Sequence, residues 1–375
     1  MKKIFIVAGE ASGDIHGANL VKELRKLQPD ATIVGFGGQR MQAAGMKLLY
    51  NLADHAVIGF FEVIKNLVLI KRLLKTTGRY LREEKPDIVI LIDYPGFNFK
   101  VGKLAHSLHI PVVYYIAPQI WAWWPGRIKE IKEFASKVLV VFPFEEEIYA
   151  QAGIPVKWVG HPLLEHIPAE TKIDIYEKYQ LDRKKKLIGL LPGSRRQEIE
   201  HLLPVMLAAA GKVLATQPDI ELVLLRSSSI DRTWLENIIQ SSRLAVKVID
   251  DDTYQVRRQL ALAYVASGTA TLEMAYLGIP MLIMYKVNAL SYQMAKRLVK
   301  IPYIGLANIV SGQKVVPEFV QDAVEPSGIA AQTEKYLHNP AELKAIKDTL
   351  LQIKDKLGAP GASLRAAQEI VVILD

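Results

Sequence analysis

The chain has 375 residues, which is more than a single hydrophobic core usually supports, so two domains of ordinary size are expected. Half of the residues are hydrophobic and 23% are charged, a balance that excludes an intrinsically disordered chain. Cysteine is absent, which excludes disulfides and thiolate metal sites, and the net charge of +8 favours negatively charged partners.

The first half of the chain alternates short apolar runs with helical patterns. Helices are predicted at 15–27 and 100–108. Strands are predicted at 3–8, 32–36, 87–92, 112–116, 138–142 and 156–159. Because these apolar runs are continuous rather than alternating, they indicate parallel strands that helices cover on both faces of a sheet.

The same pattern restarts after a polar stretch that begins near residue 160. A helix is predicted at 198–215, and strands are predicted at 187–191, 221–225, 245–249, 262–265 and 281–284. The chain is therefore predicted to be an α/β protein with two doubly wound, Rossmann-like domains facing across a cleft. The predicted bounds are 1–165 and 166–340, followed by C-terminal helices at 341–375 that return to the first domain or are exchanged in a dimer.

Small and acidic residues follow the first predicted strand. Glycines between a strand and a helix let backbone amides approach a polar ligand at the positive end of the helix. Their spacing does not match the dinucleotide-binding fingerprint. Two interpretations stay open: a substrate loop on the acceptor side, or a tight turn closed by an Asp cap. The substrate loop would use Glu10, Ser12, Gly13 and Asp14.

Asp93 directly follows the apolar run at 88–92 and precedes Pro95 and Gly96. A carboxylate at the carboxyl tip of a strand, followed by a rigid turn, is suited to a general base. Such a base typically contributes about 10²–10⁴-fold to a reaction rate. A turn-capping aspartate is the alternative.

Two loops of the second half combine small residues with a strand-to-helix junction. They are predicted to bind a nucleoside diphosphate through helix N-termini, an arginine fork and a carboxylate for ribose hydroxyls. The residues concerned are Gly193, Ser194, Arg195, Gly268, Thr269 and Glu273. Two ordinary helix caps are the alternative. No metal, cofactor or nucleic acid is expected, since no zinc-ligand spacing or RNA-binding aromatic signature occurs, and capping explains the aspartates at 250–252.

Residues 58–74 carry more apolar surface than one core-facing stripe uses. Phe61, Val68 and Leu69 fall outside the stripe, and basic residues surround them. This combination is typical of a helix that rests on an anionic membrane surface, with a buried helix or a dimer contact as the alternative. The apolar run at 4–8 is too short for a signal peptide, and none approaches the ~20 residues of a membrane-spanning helix.

Seven segments, taken in order, resemble the lipid-A-disaccharide synthase family of GT-B glycosyltransferases. They are VAGEASGD at 7–14, IDYPGFN at 92–98, PQIWAW at 118–123, FPFE at 142–145, LPGSR at 191–195, SGTATLE at 267–273 and AKRLVK at 295–300. The resemblance implies an inverting transfer from UDP-2,3-diacylglucosamine to 2,3-diacylglucosamine 1-phosphate. The products would be a β-1,6-linked disaccharide 1-phosphate and UDP.

The same resemblance implies particular roles and a location. Asp93 matches the general base of the family, and Arg195, Glu273 and Asn308 match its donor-nucleotide residues. The protein would be cytoplasmic, peripherally associated with the anionic inner membrane, and able to form a homodimer. Three alternatives stay open: a UDP-N-acetylglucosamine 2-epimerase or a transferase with another lipid carrier, a nicotinamide-dependent oxidoreductase, and a non-catalytic binder of nucleotide sugars.

Overall fold

The computed structural model describes residues 1–52, 60–119, 125–168, 173–250, 254–288, 292 and 302–375, without the side chains of residues 11, 60–67 and 125. The described residues form two compact units. Unit 1 comprises Met1–Glu165 and Leu357–Asp375, and unit 2 comprises His166–Lys356. Each unit is built on its own parallel sheet.

Unit 1 has, among the described residues, a seven-stranded parallel sheet in the order β3-β2-β1-β4-β5-β6-β7. Its strands are β1 (Lys3–Ala8), β2 (Thr32–Gly37), β3 (Lys47–Asn51), β4 (Ile88–Ile92), β5 (Val112–Tyr115), β6 (Lys137–Val140) and β7 (Val156–Trp158). Its helices before residue 165 are α1 (Ala11–Leu27), α2 (Gln39–Ala43), α3 (Phe60–Glu84), α4 (Pro95–Ser107), α5 (Ile128–Phe134) and α6 (Pro143–Gln151). The central strand β4 is buried throughout, as a strand covered on both faces must be.

Unit 2 has, within the described residues, a six-stranded parallel sheet in the order β10-β9-β8-β11-β12-β13. Its strands are β8 (Lys186–Leu191), β9 (Ile220–Leu225), β10 (Val246–Ile249), β11 (Leu260–Ala266), β12 (Met281–Tyr285) and β13 (Glu318–Val320). Its helices begin with α7 (Ile175–Tyr179), α8 (Arg196–Thr216), α9 (Arg232–Ser241), α10 (Gln255–Arg258), α11 (Thr269–Leu277) and α12 (Leu306–Ser311). The later helices are α13 (Pro326–His338), α14 (Pro340–Leu351) and α15 (Ile353–Leu357), which ends at the unit boundary.

The last helix, α16 (Ala362–Leu374), packs against α1 of unit 1. The Arg365 guanidinium donates hydrogen bonds to the carbonyl oxygens of Val159, at 2.8 Å, and Ala359, at 2.6 Å. The carboxylate of Glu165 accepts the backbone N–H of Ser363 at 2.7 Å. The contacts of Arg365 with Val159 and of Ser363 with Glu165 hold the C-terminal segment against the chain that follows β7.

Helix α8 is long and apolar enough to cross a membrane by length and composition alone. In the structure it is a core helix of unit 2, since Leu202, Leu203, Met206 and Ala210 are among its buried side chains. It packs against β11 and α13. Its apolar composition is therefore explained by burial inside an α/β unit.

The sequence placed some element bounds wrongly. Helix α1 begins at Ala11 rather than at residue 15, so the predicted glycine loop shortens and its polar residues lie in the first helical turn. Helix α4 begins at Pro95 rather than at residue 100, because proline is well tolerated in the first turn of a helix. The edge strands β3 and β13 were not predicted, since each is short and carries polar residues.

Candidate active site

Two loops of unit 1 lie side by side because they follow neighbouring strands. Ala8 of β1 pairs in register with Ile92 of β4. Gly9 and Asp93 are therefore the first residues beyond the same carboxyl edge of the sheet, and neighbouring strands are about 4.8 Å apart. The structure brings the predicted base and the predicted acceptor-side loop together.

Asp93 is partly buried and has a left-handed backbone, with a φ of 47°. Tyr94 follows in the same region, with φ 46° and ψ 59°. For residues other than glycine this conformation costs roughly 1–3 kcal/mol each, and such residues cluster at functional sites. The turn therefore gives the carboxylate of Asp93 a defined position where β4 ends.

The ring of Tyr94 lies directly over Gly9. A Cβ atom on Gly9 would be 2.2 Å from Cδ1 of that ring, so only glycine fits there. Burial raises the pKa of the Tyr94 phenol, and the nearby negative charge of Glu10 raises it further. The close approach of Tyr94 to Gly9 connects the two loops into one surface.

Helix α1 opens this surface with its N-terminus. The side chain of Glu10, the N-cap, makes no capping hydrogen bond to the first backbone amides of the helix, which also have no intrahelical acceptor. Ser12 is partly buried and Gly13 is buried in the first turn. Partial positive charge at this end suits a polar or anionic substrate group.

Unlike its neighbours in the first turn of α1, Asp14 uses its side chain for hydrogen bonds inside unit 1. Its side chain is only 6% exposed. Its carboxylate accepts the backbone N–H groups of Gly38, Arg40 and Met41, at 2.8, 3.1 and 3.0 Å. These amides are at the N-terminus of α2, so Asp14 caps that short helix and ties it to α1.

Two loops of unit 2 also meet at one carboxyl edge. Strands β8 and β11 are neighbours, with Leu191 in register with Val265. The N-caps of the helices that follow are Arg195 for α8 and Gly268 for α11, and neither makes a side-chain cap. Two helix N-termini without side-chain caps therefore begin at adjacent strands, an arrangement that suits a diphosphate.

In the 193–195 loop Gly193 is partly buried, whereas Ser194 and Arg195 are exposed. Gly193 has a φ of 117°, and a Cβ atom there would lie 2.4 Å from Oε2 of Glu198. The Arg195 guanidinium is 46% exposed and lies 3.6 Å from Oε1 of Glu198. Ser194 is exposed, and its carbonyl oxygen accepts a hydrogen bond from the Ser229 hydroxyl at 3.2 Å. The arginine is thus held near the helix N-terminus while its charge faces solvent.

Gly268, Thr269 and Glu273 surround the start of α11. Gly268 has a φ of 154° and is exposed, as is Thr269. The carboxylate of Glu273 accepts the Tyr254 hydroxyl at 3.1 Å and lies 3.9 Å from Nε of Arg257. These two partners fix the carboxylate and leave lone pairs for further donors.

Asn308 is the predicted site residue whose placement differs most from expectation. Its side chain is fully buried. Nδ2 donates to the Val316 carbonyl and to Oε1 of Glu318, each at 2.9 Å. Oδ1 accepts the N–H groups of Val315 and Val316 at 2.8 and 3.0 Å. All four hydrogen-bonding positions are used inside the fold, so a direct contact of this amide with a nucleotide does not fit the arrangement.

Glu318 extends this network to the helix N-termini. Its carboxylate accepts the N–H groups of Ile304 and Gly305, each at 2.9 Å. The carbonyl oxygen of Ile304 accepts the Ser267 hydroxyl at 3.1 Å. Asn308 therefore belongs to a group of buried contacts that positions the start of α12 beside the start of α11.

The outer face of α3 is basic. Val68 is 76% exposed, whereas Leu69 is partly buried against the core of unit 1. The side chain of Phe61 lies outside the described part of the chain. Among the side chains of α3 that the structure describes, the exposed cations are Lys71, Arg72, Lys75, Arg79 and Arg82. At 100° per residue, these five and Val68 fall within an arc of about 100°, which makes one continuous stripe.

No group of three His, Asp or Glu side chains that could hold a metal ion occurs among the described residues. The expectation of no metal stays a prediction. Tyr114 and Glu318 contact predicted site residues, but no local sequence pattern marks them, because only the folded chain brings them near their partners. Tyr94 and Asn98 do lie in the 92–98 segment, so that motif could have drawn attention to them.

The fold defines the class of this protein as the GT-B group of two-unit α/β proteins. The Staphylococcus aureus MnaA–UDP structure matches with a TM-score of 0.69 and 16% identity, over 100% of this chain and 97% of that one. The UDP-GlcNAc 2-epimerase from Neisseria meningitidis bound to UDP-GlcNAc matches with a TM-score of 0.68 and 15% identity, over 99% and 100%. The calicheamicin glycosyltransferase CalG4 matches with a TM-score of 0.62 and 16% identity, over 100% of this chain and 98% of that one. At such identities the likeness shows the fold alone.

Sequence comparison narrows this class. A family model described as lipid-A-disaccharide synthetase matches residues 4–370. The lipid-A-disaccharide synthase of Geobacter sulfurreducens is 41% identical over 373 residues, which cover 99% of this chain and 97% of the relative. That of Syntrophus aciditrophicus is 42% identical over 368 residues, covering 98% and 96%. The chain belongs to the lipid-A-disaccharide synthase family. It is an enzyme, a glycosyltransferase of lipid A biosynthesis. The family match confirms the predicted family, and the solved structures confirm the predicted fold class.

Proposed function

We propose that this protein transfers the diacylglucosaminyl unit of UDP-2,3-diacylglucosamine to the 6-hydroxyl of 2,3-diacylglucosamine 1-phosphate. The products are the β-1,6-linked disaccharide 1-phosphate and UDP. Family membership supports the reaction. The observation that carries the mechanism is the Asp93 carboxylate, which follows a buried strand on a left-handed turn beside the N-terminus of α1.

Asp93 acts as the general base. Its carboxylate takes the proton of the acceptor hydroxyl as the oxygen attacks C1 of the donor sugar. The bond between C1 and the UDP oxygen breaks as the new bond forms, so the configuration at C1 inverts and UDP leaves with an additional negative charge. A base in this position contributes about 10²–10⁴-fold to the rate.

Unit 2 holds the UDP group. The exposed Arg195 guanidinium donates to phosphate oxygens, and the N-termini of α8 and α11 add partial positive charge. This charge stabilises departing UDP. Gly193 and Gly268 allow the diphosphate to approach the backbone, and Ser194 and Thr269 offer hydroxyl donors. The fixed carboxylate of Glu273 accepts from ribose hydroxyls, while Asn308 supports the site through the Gly305 turn.

Unit 1 holds the acceptor. Glu10, Ser12 and Gly13 surround the start of α1 and offer a carboxylate, a hydroxyl and backbone amides to the sugar. Asp14 supports this loop by holding α2 against α1. The acyl chains keep the substrates in the bilayer, since each buried methylene contributes about 0.8 kcal/mol.

The basic stripe of α3 brings the enzyme to the anionic inner membrane as a peripheral protein. Each Lys or Arg near such a surface contributes about 1 kcal/mol, so five cations provide substantial attraction at low salt. Val68 adds an apolar contact from the same stripe. The described residues thus offer charge for docking and apolar surface for insertion on one helix.

The reaction is tested by following UDP release with and without the acylated monosaccharide phosphate. Asp93→Asn should lower kcat about 10²–10⁴-fold. Asp87→Asn is the matched control, because Asp87 immediately precedes the other end of β4 and accepts only the Lys3 N–H among its described hydrogen bonds, a bond that asparagine keeps. Rapid UDP release without acceptor, or epimerised donor in place of disaccharide, contradicts the proposal.

The donor site is tested by calorimetric titration with UDP. Arg195→Ala should weaken binding about 10–100-fold, since a hydrogen bond to a charged group contributes about 1.5–3 kcal/mol. Arg196→Ala is the control, because that neighbour pairs instead with Glu200, at 3.3 Å, and lies over the Trp234 ring. Equal affinities for the two variants contradict the role of Arg195.

Membrane docking is tested by sedimentation with vesicles. Replacing Lys71 and Lys75 by glutamate should reduce binding to vesicles that contain phosphatidylglycerol about tenfold or more, and binding should fall with salt. Replacing the exposed lysines Lys344 and Lys347 of α14 makes the same charge change in unit 2 and should leave binding unaltered. Equal loss in both variants indicates only a net-charge effect.

A further inference from the structure

The Asp93–Tyr94 turn needs external support. Both residues have left-handed backbones and neither is glycine. Two such residues in succession are disfavoured relative to an extended chain. A strained turn of this kind persists only where surrounding contacts determine its conformation.

The supporting contacts converge on one carbonyl oxygen. The oxygen of Asp93 accepts hydrogen bonds from Nδ2 of Asn98, at 2.7 Å, and from the Tyr114 hydroxyl, at 2.8 Å. The Asn98 amide also donates to the Ile92 carbonyl at 3.1 Å. The carbonyl group of Asp93 is therefore held by hydrogen bonds from a helix residue and from a strand residue.

Both donors are themselves immobilised. Asn98 lies in α4 and Tyr114 lies in β5, the strand next to β4, and both side chains are fully buried. Burial raises the pKa of the Tyr114 phenol, and the charge of Asp93 raises it further, so the hydroxyl keeps its proton and remains a donor. Hydrogen bonds in the protein interior are electrostatically stronger than those in water.

We propose that Asn98 and Tyr114 are positioning residues that act on the reaction through Asp93. They fix the carbonyl of Asp93, and the fixed peptide in turn directs the carboxylate toward the acceptor. Neither side chain contacts substrate. The inference rests on the proposed role of Asp93 as the base, but the conformational part of it stands on geometry alone.

The kinetic test uses variants that remove the donors one at a time. Tyr114→Phe removes one hydrogen bond and should lower kcat about 3–10-fold, and Asn98→Ala removes two and should lower it about 10–100-fold. The KM for the UDP-sugar should stay within about twofold of the wild-type value, since loss of transition-state interactions alone leaves KM unchanged. Tyr115→Phe is the control, because Tyr115 is the next residue of the same strand, is equally buried and faces the opposite side of the sheet.

A double-mutant comparison separates positioning from general damage. Adding Tyr114→Phe to Asp93→Ala should cause no further loss of the residual rate, because the carboxylate that the hydroxyl positions is already gone. The proposal is overturned if Tyr114→Phe lowers the rate of Asp93→Ala by the same factor as it lowers the wild-type rate. It is also overturned if Tyr114→Phe and Tyr115→Phe lower kcat equally.

A crystal structure of Asn98→Ala gives a readout that does not depend on activity. Asp93 should leave the left-handed region, and an unchanged φ at this residue overturns the inference. If Asp93→Ala retains full turnover while φ changes in Asn98→Ala, then the base assignment fails and the conformational role of Asn98 stands. The two failures are therefore distinguishable.

Discussion

Replacing Asn308 by alanine tests whether this residue supports the fold or contacts the nucleotide. The substitution removes four hydrogen bonds of a buried side chain, two of them from the backbone N–H groups of Val315 and Val316. A typical hydrogen bond contributes about 0.5–1.5 kcal/mol, and a buried group left without a partner costs more. We expect the free energy of unfolding of unit 2 to fall by about 3–4 kcal/mol in the absence of any ligand.

The assay combines urea unfolding with hydrogen exchange of ligand-free protein. Each 1.4 kcal/mol of lost stability raises the population of the open state, and so the exchange rate, about tenfold. The Val315 and Val316 amides should therefore exchange on the order of 100-fold faster or more. Asn339→Ala is the control, because the exposed Asn339 only caps α14, and losing that cap costs about 1 kcal/mol. If the free energy of unfolding of ligand-free Asn308→Ala lies within about 0.5 kcal/mol of the wild-type value, the supporting role is refuted. A direct contact of Asn308 with the nucleotide would then be the better explanation.

Three further predictions follow from other contacts. Gly9→Ala should displace the Tyr94 ring and lower kcat at least about tenfold, whereas Gly96→Ala, where a Cβ meets no atom within 4 Å, should be nearly neutral in the same turnover assay. Asp14→Ala should lower the unfolding free energy by about 2–3 kcal/mol without changing UDP affinity in calorimetry, since three backbone N–H groups of α2 lose their acceptor. Burial raises the pKa of Tyr264 to about 12, above the unfolded value near 10, so stability should be complete below pH 10 and fall by about 2–3 kcal/mol toward pH 12. Urea midpoints across this range should fall less in Tyr264→Phe.

The sequence indicated the candidate site residues that follow strands, but it did not indicate the contacts that support them. Asp93, Arg195 and Gly268 stand directly after apolar runs or within one turn of them, and parallel sheets present such residues at one edge. The supporting contacts join residues that are distant in the chain, such as Asp14 with Gly38 and Met41. No local pattern marks those pairs, so only the packed structure identifies them.

One matched motif also changes meaning in the structure. Glu145, in the 142–145 segment, is almost fully buried, and its carboxylate accepts the N–H groups of Val141 and Phe142 at 3.2 and 3.1 Å. It caps the start of α6, as a capping box does. A segment that helps to identify the family therefore serves to end one strand and begin one helix.

The sequence by itself determined the parallel α/β architecture, the family and the strand ends that carry the candidate site residues. Continuous apolar strands leave few other ways to bury both faces of a sheet. The tertiary structure alone decided which of these polar side chains stay exposed and which form hydrogen bonds within the protein. A carboxylate or amide has the same identity in the sequence in either case, and its role depends on whether buried backbone groups of distant segments already occupy its hydrogen-bonding positions.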